Sequence, residues 1–127
     1  MIYFFDNNFS PKHAEILTLL GVQTKTLRDE FGASVHDVDF LNRLRGTGWV
    51  LVTADHHILG RRSEREALRA SGVTALFFEP FWLKLDIWAQ VSWLTKQWPE
   101  IDRFVAGCAS GTLIRVSQRR RLVLINI

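Results

Sequence analysis

Near its middle the chain contains the run Val50-Leu51-Val52-Thr53-Ala54-Asp55, an apolar segment that stops at a carboxylate. A second run of this kind, Phe4-Phe5-Asp6, lies close to the amino terminus. Short apolar runs bounded by polar residues are typical of buried strands in a parallel sheet. Each strand would deliver an aspartate at its carboxyl end, which is the edge where open α/β sheets bind ligands. The two runs therefore predict an α/β fold with an acidic site at one sheet edge.

The chain has 127 residues, of which 47% are hydrophobic and 23% are charged. These proportions are typical of a globular protein, and the length suits a single domain over residues 1–127. No apolar stretch approaches ~18 residues and no signal-peptide pattern is present, so we expect a cytoplasmic protein without membrane contact. The only cysteine, Cys108, excludes an internal disulfide and a cysteine-rich zinc site. The net charge of +3 is mild.

Strand and helix patterns alternate along the chain. We expect strands at 2–5, 22–27, 49–53 and 73–78, helices at 11–20, 34–45, 63–71 and after Pro80, and a loop at 28–32. This order predicts right-handed βαβ units, and hence a mostly parallel sheet with helices on both faces. The first strand and the 49–53 strand can then be neighbours, which would bring Asp6 and Asp55 close together.

Four aspartates are the candidate catalytic residues. Mg²⁺ and Mn²⁺ prefer hard oxygen ligands, and one or two carboxylates with waters and substrate phosphates often suffice. Asp6 and Asp55 can supply the centre of such a site, and Asp37 and Asp39, in the first turns of the next helix, are further candidates. Clustered carboxylates raise one another's pKa, a penalty that a divalent cation removes. We therefore expect a metal site of Asp6, Asp55 and a third carboxylate, with Asp37 ahead of Asp39.

The same residues also have ordinary structural interpretations. An aspartate after a strand is often a turn residue or a helix cap. With Ser34 as N-cap of the 34–45 helix, Asp37 would occupy the position that a capping box uses. The pair His56-His57 suggests zinc, but adjacent histidines do not share a helix face, and no spaced third ligand follows them.

Candidate substrate contacts flank the expected acid cluster. Three polar residues can orient the substrate or the attacking water, or simply belong to loops: Asn7, Asn8 and Thr53. Arg61, Arg65 and Arg69 recur every four residues, with Arg62 beside them, and can bind a phosphate backbone or form a solvated helix face. The same two interpretations apply to Arg119-Arg120-Arg121, the basic turn of an expected carboxyl-terminal hairpin.

Aromatic residues concentrate in the last third of the chain. One apolar face of the long helix after Pro80 includes Trp98, and Trp88 and Trp93 lie off that face. Part of this helix can therefore face another protein, while a wide buried face is the simpler explanation for either tryptophan.

Four stretches resemble the PIN-like domains of bacterial VapC-type toxins: Phe5-Asp6-Asn7-Asn8-Phe9-Ser10, Asp37-Val38-Asp39-Phe40-Leu41, Gly48-Trp49-Val50-Leu51-Val52-Thr53-Ala54-Asp55-His56-His57-Ile58 and Glu64-Arg65-Glu66-Ala67-Leu68-Arg69-Ala70-Ser71-Gly72-Val73. The likeness extends over roughly residues 2–78, and the order and spacing of the stretches are its most specific features. The resemblance implies a three-layer α/β/α fold and a Mg²⁺- or Mn²⁺-dependent endoribonuclease held by an antitoxin. It also implies that the family's metal carboxylates correspond to Asp6, Asp55 and the Asp37/Asp39 pair.

The expected function is therefore that of a toxin ribonuclease, with RNA as substrate, an antitoxin as protein partner and a homodimer as a further candidate assembly. Asn7 and Val38 stand where related chains often have acids, so a non-catalytic, partner-binding PIN-like domain is the first alternative. A phosphorylated receiver domain is the second. A receiver requires an acid pair after the first strand and a lysine at a late strand end, and neither pattern is present.

Overall fold

The computed structural model describes residues 1–32, 34–119 and 121–127. Its strands are β1 (Ile2–Phe5), β2 (Gln23–Thr26), β3 (Val50–Thr53), β4 (Thr74–Phe78), β5 (Leu113–Val116) and β6 (Leu122–Ile125). Its helices are α1 (Pro11–Leu19), α2 (Leu27–Phe31), α3 (Asp37–Leu44), α4 (His57–Gly60), α5 (Arg62–Ser71), α6 (Phe81–Lys84) and α7 (Ile87–Ala106). No helix among the described residues is both long and apolar enough to cross a bilayer.

The strands form one sheet in the order β2-β1-β3-β4-β5-β6. All neighbouring pairs are parallel except β5 and β6, which form an antiparallel hairpin. The predictions of an α/β fold, a mostly parallel sheet and adjacent first and 49–53 strands are confirmed. In the β1–β3 pair Phe5 lies opposite Val52, so the residues that follow these strands meet at the same edge of the sheet.

Both faces of the sheet are covered by helices, which explains why the central strands β3 and β4 are apolar except at Thr53 and Thr74. On one face Phe5, Val52 and Phe78 belong to a core that also contains side chains of α1 and α7. On the other face Phe4 and Leu51 belong to a second core, with side chains of α3 and α5. The arrangement is the three-layer α/β/α fold that the sequence predicts.

The third helix begins later than the sequence suggests. α3 starts at Asp37 with His36 as its N-cap, and no side chain caps it. The interpretation of Ser34 as N-cap, with Asp37 in a capping box, is therefore wrong. Asp37 and Asp39 instead lie in the first helical turn, where carboxylates interact favourably with the helix dipole.

The prediction of a loop at 28–32 is also wrong, because Leu27–Phe31 forms the short helix α2. Thr26, the last residue of β2, caps this helix, since its hydroxyl accepts a hydrogen bond from the backbone N–H of Asp29 at 3.2 Å. A threonine that ends a strand can thus start a helix without any intervening loop.

The arginine repeat is shorter than its spacing predicts. Arg61 is the N-cap residue of α5 and has extended backbone, so it does not belong to the helix that carries Arg65 and Arg69. In the expected carboxyl-terminal hairpin, β5 and β6 pair as predicted, Arg119 lies in the turn between them, and Arg121 directly precedes β6. Arg120, the middle arginine of that turn, lies outside the described residues.

The two tryptophans that lie off the apolar face of α7 have different surroundings. Trp93 is half-buried, and its ring contacts Phe78, Phe81 and Trp82. Trp88 is 82% exposed. The wide buried face therefore explains Trp93, which packs against an aromatic cluster, whereas Trp88 remains available for a partner.

Candidate active site

The carboxylate of Asp6 is held at the end of β1 by two hydrogen bonds. Its Oδ2 accepts a hydrogen bond from the hydroxyl of Thr53 at 2.8 Å, and its Oδ1 accepts one from the backbone N–H of Asn7 at 2.7 Å. The side chain is buried, with the residue only 7% exposed. Burial raises the pKa of Asp6, the bonds from Thr53 and Asn7 act in the opposite direction, and the negative charge of Asp55 raises it further.

Thr53 and Asn8 connect the ends of β1 and β3. The hydroxyl oxygen of Thr53 accepts a hydrogen bond from the backbone N–H of Asp55 at 3.0 Å, in addition to donating to Asp6. The side-chain oxygen of Asn8 accepts from the backbone N–H of Ala54 at 2.9 Å, and its amide nitrogen lies 3.5 Å from the Thr53 hydroxyl. Substrate contact by both residues stays a prediction, and in the structure Thr53 bonds to both aspartates while Asn8 bonds to Ala54 and Thr53 between them.

Asp55 begins the turn that leads into α4. One of its carboxylate oxygens accepts a hydrogen bond from the backbone N–H of His57 at 2.9 Å. Each carboxylate oxygen has two lone pairs, so these backbone bonds leave acceptor capacity on both Asp6 and Asp55.

A third carboxyl group, that of Asp37, approaches from the first turn of α3. Partial burial and the negative charges of Asp55, Asp6 and Glu64 raise the pKa of Asp37 from 3.8 to about 6, although Arg61 acts in the opposite direction. Asp39, two residues along the same helix, is exposed.

Glu64 is the fourth carboxyl group, and the sequence interpretation missed it. The residue is 8% exposed on α5, and one carboxylate oxygen lies 3.4 Å from the guanidinium of Arg61. Its other oxygen is buried and has no hydrogen-bond partner among the described residues. A signal was present, because Ala67 and Leu68, three and four residues further on, mark the buried face on which Glu64 also lies.

The donor set suits a hard cation, although it does not form a closed cage. Among the residues that the structure describes, no three His, Cys, Asp or Glu side chains lie close enough to hold one ion between them. Mg²⁺ does not require such a cage, because it commonly keeps several waters and uses one or two carboxylates together with substrate phosphates. Asp6 and Asp55 fit this mode of binding, and a cation there would relieve the repulsion that raises the pKa of Asp37.

The two histidines after Asp55 contact different residues. Nε2 of His56 lies 3.0 Å from the carbonyl oxygen of Phe78, at the end of β4. The ring of His57 is exposed, with Nδ1 at 3.5 Å from the carboxylate of Asp55. The zinc interpretation of this pair has no support within the described part of the chain, since no three-ligand group forms there.

Two of the three arginines expected to bind substrate are engaged in ion pairs. Arg61 pairs with Glu64, and Arg62 pairs with Glu66 at 3.1 Å. The third, Arg65, is exposed on α5. Exposed ion pairs contribute roughly 0–1 kcal/mol, so a phosphate group can replace the glutamate partner of Arg62 at little cost.

A comparison with families of known domains matches residues 1–80 to the PIN-like domain. The chain belongs to the PIN-like domain family. Domains of this family are generally nucleases and typically use divalent metals. The match extends from β1 to β4 and so includes Asp6, Asp37, Asp55 and Glu64 of this PIN-like protein. Neither a curated protein nor a solved structure matches the chain.

Proposed function

We propose that this PIN-like protein is a metal-dependent endoribonuclease that hydrolyses phosphodiester bonds of RNA. The convergence of four carboxyl groups at the carboxyl edge of the sheet supports this proposal. They come from the ends of β1 and β3 and from α3 and α5: Asp6, Asp55, Asp37 and Glu64. A structural role would not require such repulsion, whereas a cation and a phosphate group would offset it.

In the proposed reaction Asp6 and Asp55 hold the cation, and Thr53 fixes the orientation of the Asp6 carboxylate. Bound Mg²⁺ or Mn²⁺ would supply positive charge that polarises the phosphodiester and stabilises charge on the leaving oxygen. Asp37, whose pKa is about 6 without a cation and lower with one bound, is ionised at neutral pH and suited to act as a general base. It accepts a proton from water as the water oxygen bonds to phosphorus. The P–O bond to the ribose oxygen breaks, and that oxygen takes a proton from solvent.

The substrate contacts that we propose for RNA are electrostatic. At the start of α5 lie Arg61, Arg62 and Arg65. Arg61 forms an ion pair with Glu64, which brings these arginines close to the acid cluster. Guanidinium groups bind phosphate oxygens in a bidentate manner, so they suit the backbone of RNA and carry little sequence information. Asn7, at the end of β1, is the further candidate for contact with the scissile phosphate.

The role as a toxin with an antitoxin partner is a further part of the proposal. It rests on the resemblance to VapC-type toxins and on exposed apolar side chains near the start of α7, where Trp88 is 82% and Leu83 is 61% exposed. Exposed aromatic and aliphatic groups of this kind often mark a protein interface. A partner that covered them would lie at the carboxyl edge of the sheet, because α6 and α7 follow the end of β4.

A metal-titrated RNA cleavage assay tests the proposal. The purified chain should cleave RNA with Mg²⁺ or Mn²⁺ and stop when EDTA is added. Asp6→Asn and Asp55→Asn should each abolish cleavage, because the amide retains the shape of the side chain and removes the ligand charge. Asp29→Asn makes the same change at an exposed position on α2 and should leave cleavage intact.

Two results would contradict the nuclease proposal. Undiminished cleavage by both Asp6→Asn and Asp55→Asn would show that the acid cluster is not the site. A parent protein that binds RNA or a protein partner but cleaves nothing at any metal concentration would favour the non-catalytic alternative.

A further inference from the structure

A cavity of about 470 Å³ lies at the carboxyl ends of β4 and β5, outside the acid cluster. Its polar lining comes from the end of β4, from β5 and from the hairpin turn: Glu79, Arg115, Ser117, Gln118, Arg119 and Arg121. We refer to it as the arginine cavity. Three guanidinium groups here face a single carboxylate, that of Glu79, which lies 4.0 Å from Nε of Arg115. The lining therefore has net positive charge.

The register of the sheet relates this cavity to the acid cluster. Thr53 on β3 lies opposite Phe77 on β4, and Phe77 lies opposite Arg115 on β5. Residues directly opposite each other in a sheet point to the same face, so Arg115 and Thr53 share one row and one face. Asp6, which accepts a hydrogen bond from Thr53, follows Phe5 at the end of the adjacent strand β1. Three strand spacings of about 4.8 Å separate β1 from β5.

The turn that carries two of the arginines is anchored to the body of the protein. The backbone N–H of Ser117 donates to the carbonyl of Arg121 at 3.1 Å, and the Ser117 hydroxyl accepts from the N–H of Arg121 at 3.1 Å. The indole N–H of Trp93 donates to the carbonyl of Gln118 at 3.3 Å. These bonds fix the backbone of Ser117, Gln118 and Arg121, and the bond from Trp93 connects Gln118 to α7.

We propose that the arginine cavity is a second phosphate subsite, which binds the backbone of a single-stranded RNA a few nucleotides away from the phosphate held at the acid cluster. Arginine suits this role because its planar guanidinium pairs with two phosphate oxygens. A flexible single strand can follow the sheet edge from one site to the other. The inference rests on the proposed function, which supplies the RNA. The cavity residues except Glu79 lie beyond the family match over residues 1–80.

RNA binding without cleavage tests the subsite. The full chain, in EDTA, is titrated into a fluorescein-labelled single-stranded RNA of mixed sequence, about 12 nucleotides long. Fluorescence anisotropy is measured at several salt concentrations. Arg119→Gln with Arg121→Gln should weaken binding about tenfold and reduce the salt slope by about 1.4, since each lost phosphate contact on a single strand removes about 0.7.

The matched control is Arg45→Gln with Arg103→Gln, which removes the same charge from two exposed arginines. Arg45 follows α3 and Arg103 lies in the last turn of α7, so both precede strands and lie toward the opposite edge of the sheet. The control pair should leave affinity and salt slope close to those of the parent. Thermal unfolding of both double variants checks that neither has lost its fold.

Three outcomes would overturn the subsite. An unchanged salt slope in the Arg119/Arg121 variant would show that the cavity does not contact phosphate. An equal loss in the control pair would assign the effect to overall charge. Uridine monophosphate that binds the parent as tightly as the ~12-nucleotide RNA would assign the cavity to a small phosphate compound instead. The binding measurement needs neither metal nor turnover. A negative result in the cleavage assay would therefore not decide the result of this experiment.

Discussion

The hydroxyl of Thr53 donates a hydrogen bond to Oδ2 of Asp6 at 2.8 Å, across the carboxyl ends of two neighbouring parallel strands. The same hydroxyl oxygen accepts a hydrogen bond from the backbone N–H of Asp55. One small side chain thus positions both aspartates at the centre of the candidate site. Thr53 is fully buried, so water does not readily replace either hydrogen bond.

Thr53→Val tests this relationship, because valine has nearly the same shape and lacks the hydroxyl. We expect a loss of about 1–3 kcal/mol in the free energy of unfolding, since the buried oxygen of Asp6 and the N–H of Asp55 lose a partner. The pKa of Asp6 should rise further, because the bond from Thr53 holds it down. Urea unfolding and the pH dependence of cleavage measure the two effects. Thr47→Val is the control, because it also removes a hydroxyl that makes two hydrogen bonds, to Leu44 and from Trp49, but does so away from the acids. It should lower stability without changing the pH dependence of cleavage.

Asp37→Asn and Asp39→Asn should differ in their effect on cleavage. Asp37 is half-buried, and its pKa responds to Asp6, Asp55 and Glu64, whereas Asp39 is exposed. We expect Asp37→Asn to reduce the cleavage rate by about 10²–10⁴-fold, the usual range for a lost general base, and Asp39→Asn to change it little. Single-turnover cleavage measures both. Equal losses in the two variants would contradict the assignment of Asp37.

The stability of the protein should depend on pH through Asp37. A carboxyl group whose pKa is raised from 3.8 to about 6 by folding contributes stability below pH 3.8, and that contribution is lost as the pH rises through about 6. The difference in Tm between Asp37→Asn and the parent should therefore be more favourable to the variant at pH 8 than at pH 4. Thermal unfolding at both values tests this, and Tm differences that are equal at pH 4 and pH 8 would contradict it.

Mn²⁺ offers an independent check on the same groups. A cation that binds between Asp6 and Asp55 should raise the Tm of the parent at pH 8 and have less effect near pH 5, where protons compete for the carboxylates. Asp6→Asn should remove this metal-dependent increase. An increase that persists unchanged in Asp6→Asn would place the ion elsewhere.

Glu64→Gln should alter the pH dependence of cleavage without abolishing the fold. Removal of this negative charge lowers the pKa of Asp37, so the acid limb of the pH–rate profile should move to lower pH. Glu66→Gln makes the same change on the exposed face of α5, where Glu66 pairs with Arg62, and should leave the profile in place. Coincident profiles for the parent and Glu64→Gln would show that Glu64 does not act on the site.

Self-association should depend on the apolar side chains at the start of α7. Light scattering across a concentration series should detect dimers or larger species of the parent, and Trp88→Ser should reduce them. Leu19→Ser removes an equally exposed apolar side chain from α1 and is the control. A parent that remains monomeric throughout would leave the partner proposal resting on resemblance alone.

The position of the acid cluster follows from local sequence. The apolar runs before Asp6 and Asp55 are continuous because both faces of β1 and β3 are covered, and parallel strands end at one edge of the sheet. Neither inference requires knowledge of how the helices pack. The same reasoning accounts for the order of strands and helices, which depends on short-range periodicity and on the handedness of βαβ units.

Which helical carboxyl groups join the cluster was decided by tertiary structure. Asp37 and Asp39 are separated by about 200° around a helix, so only one of them can face the sheet. Asp37 is that one, because it lies three and four residues before Phe40 and Leu41, which α3 buries against the sheet. Glu64 is buried because Ala67 and Leu68 hold that face of α5 against the sheet.

The tryptophans also separate what local sequence predicts from what tertiary packing decides. An apolar periodicity of 3.6 residues assigns Trp98 to the buried face of α7, but it says nothing about Trp93, whose burial comes from Phe78 and Phe81 and whose indole N–H binds the carbonyl of Gln118. Patterns along the chain determine which segments form strands and helices, because backbone preferences and periodic burial act over neighbouring residues. The contacts of Trp93 with Phe78 and Phe81, and the effect of Glu64 on the pKa of Asp37, join residues from separate elements, so they exist only once the layers have packed.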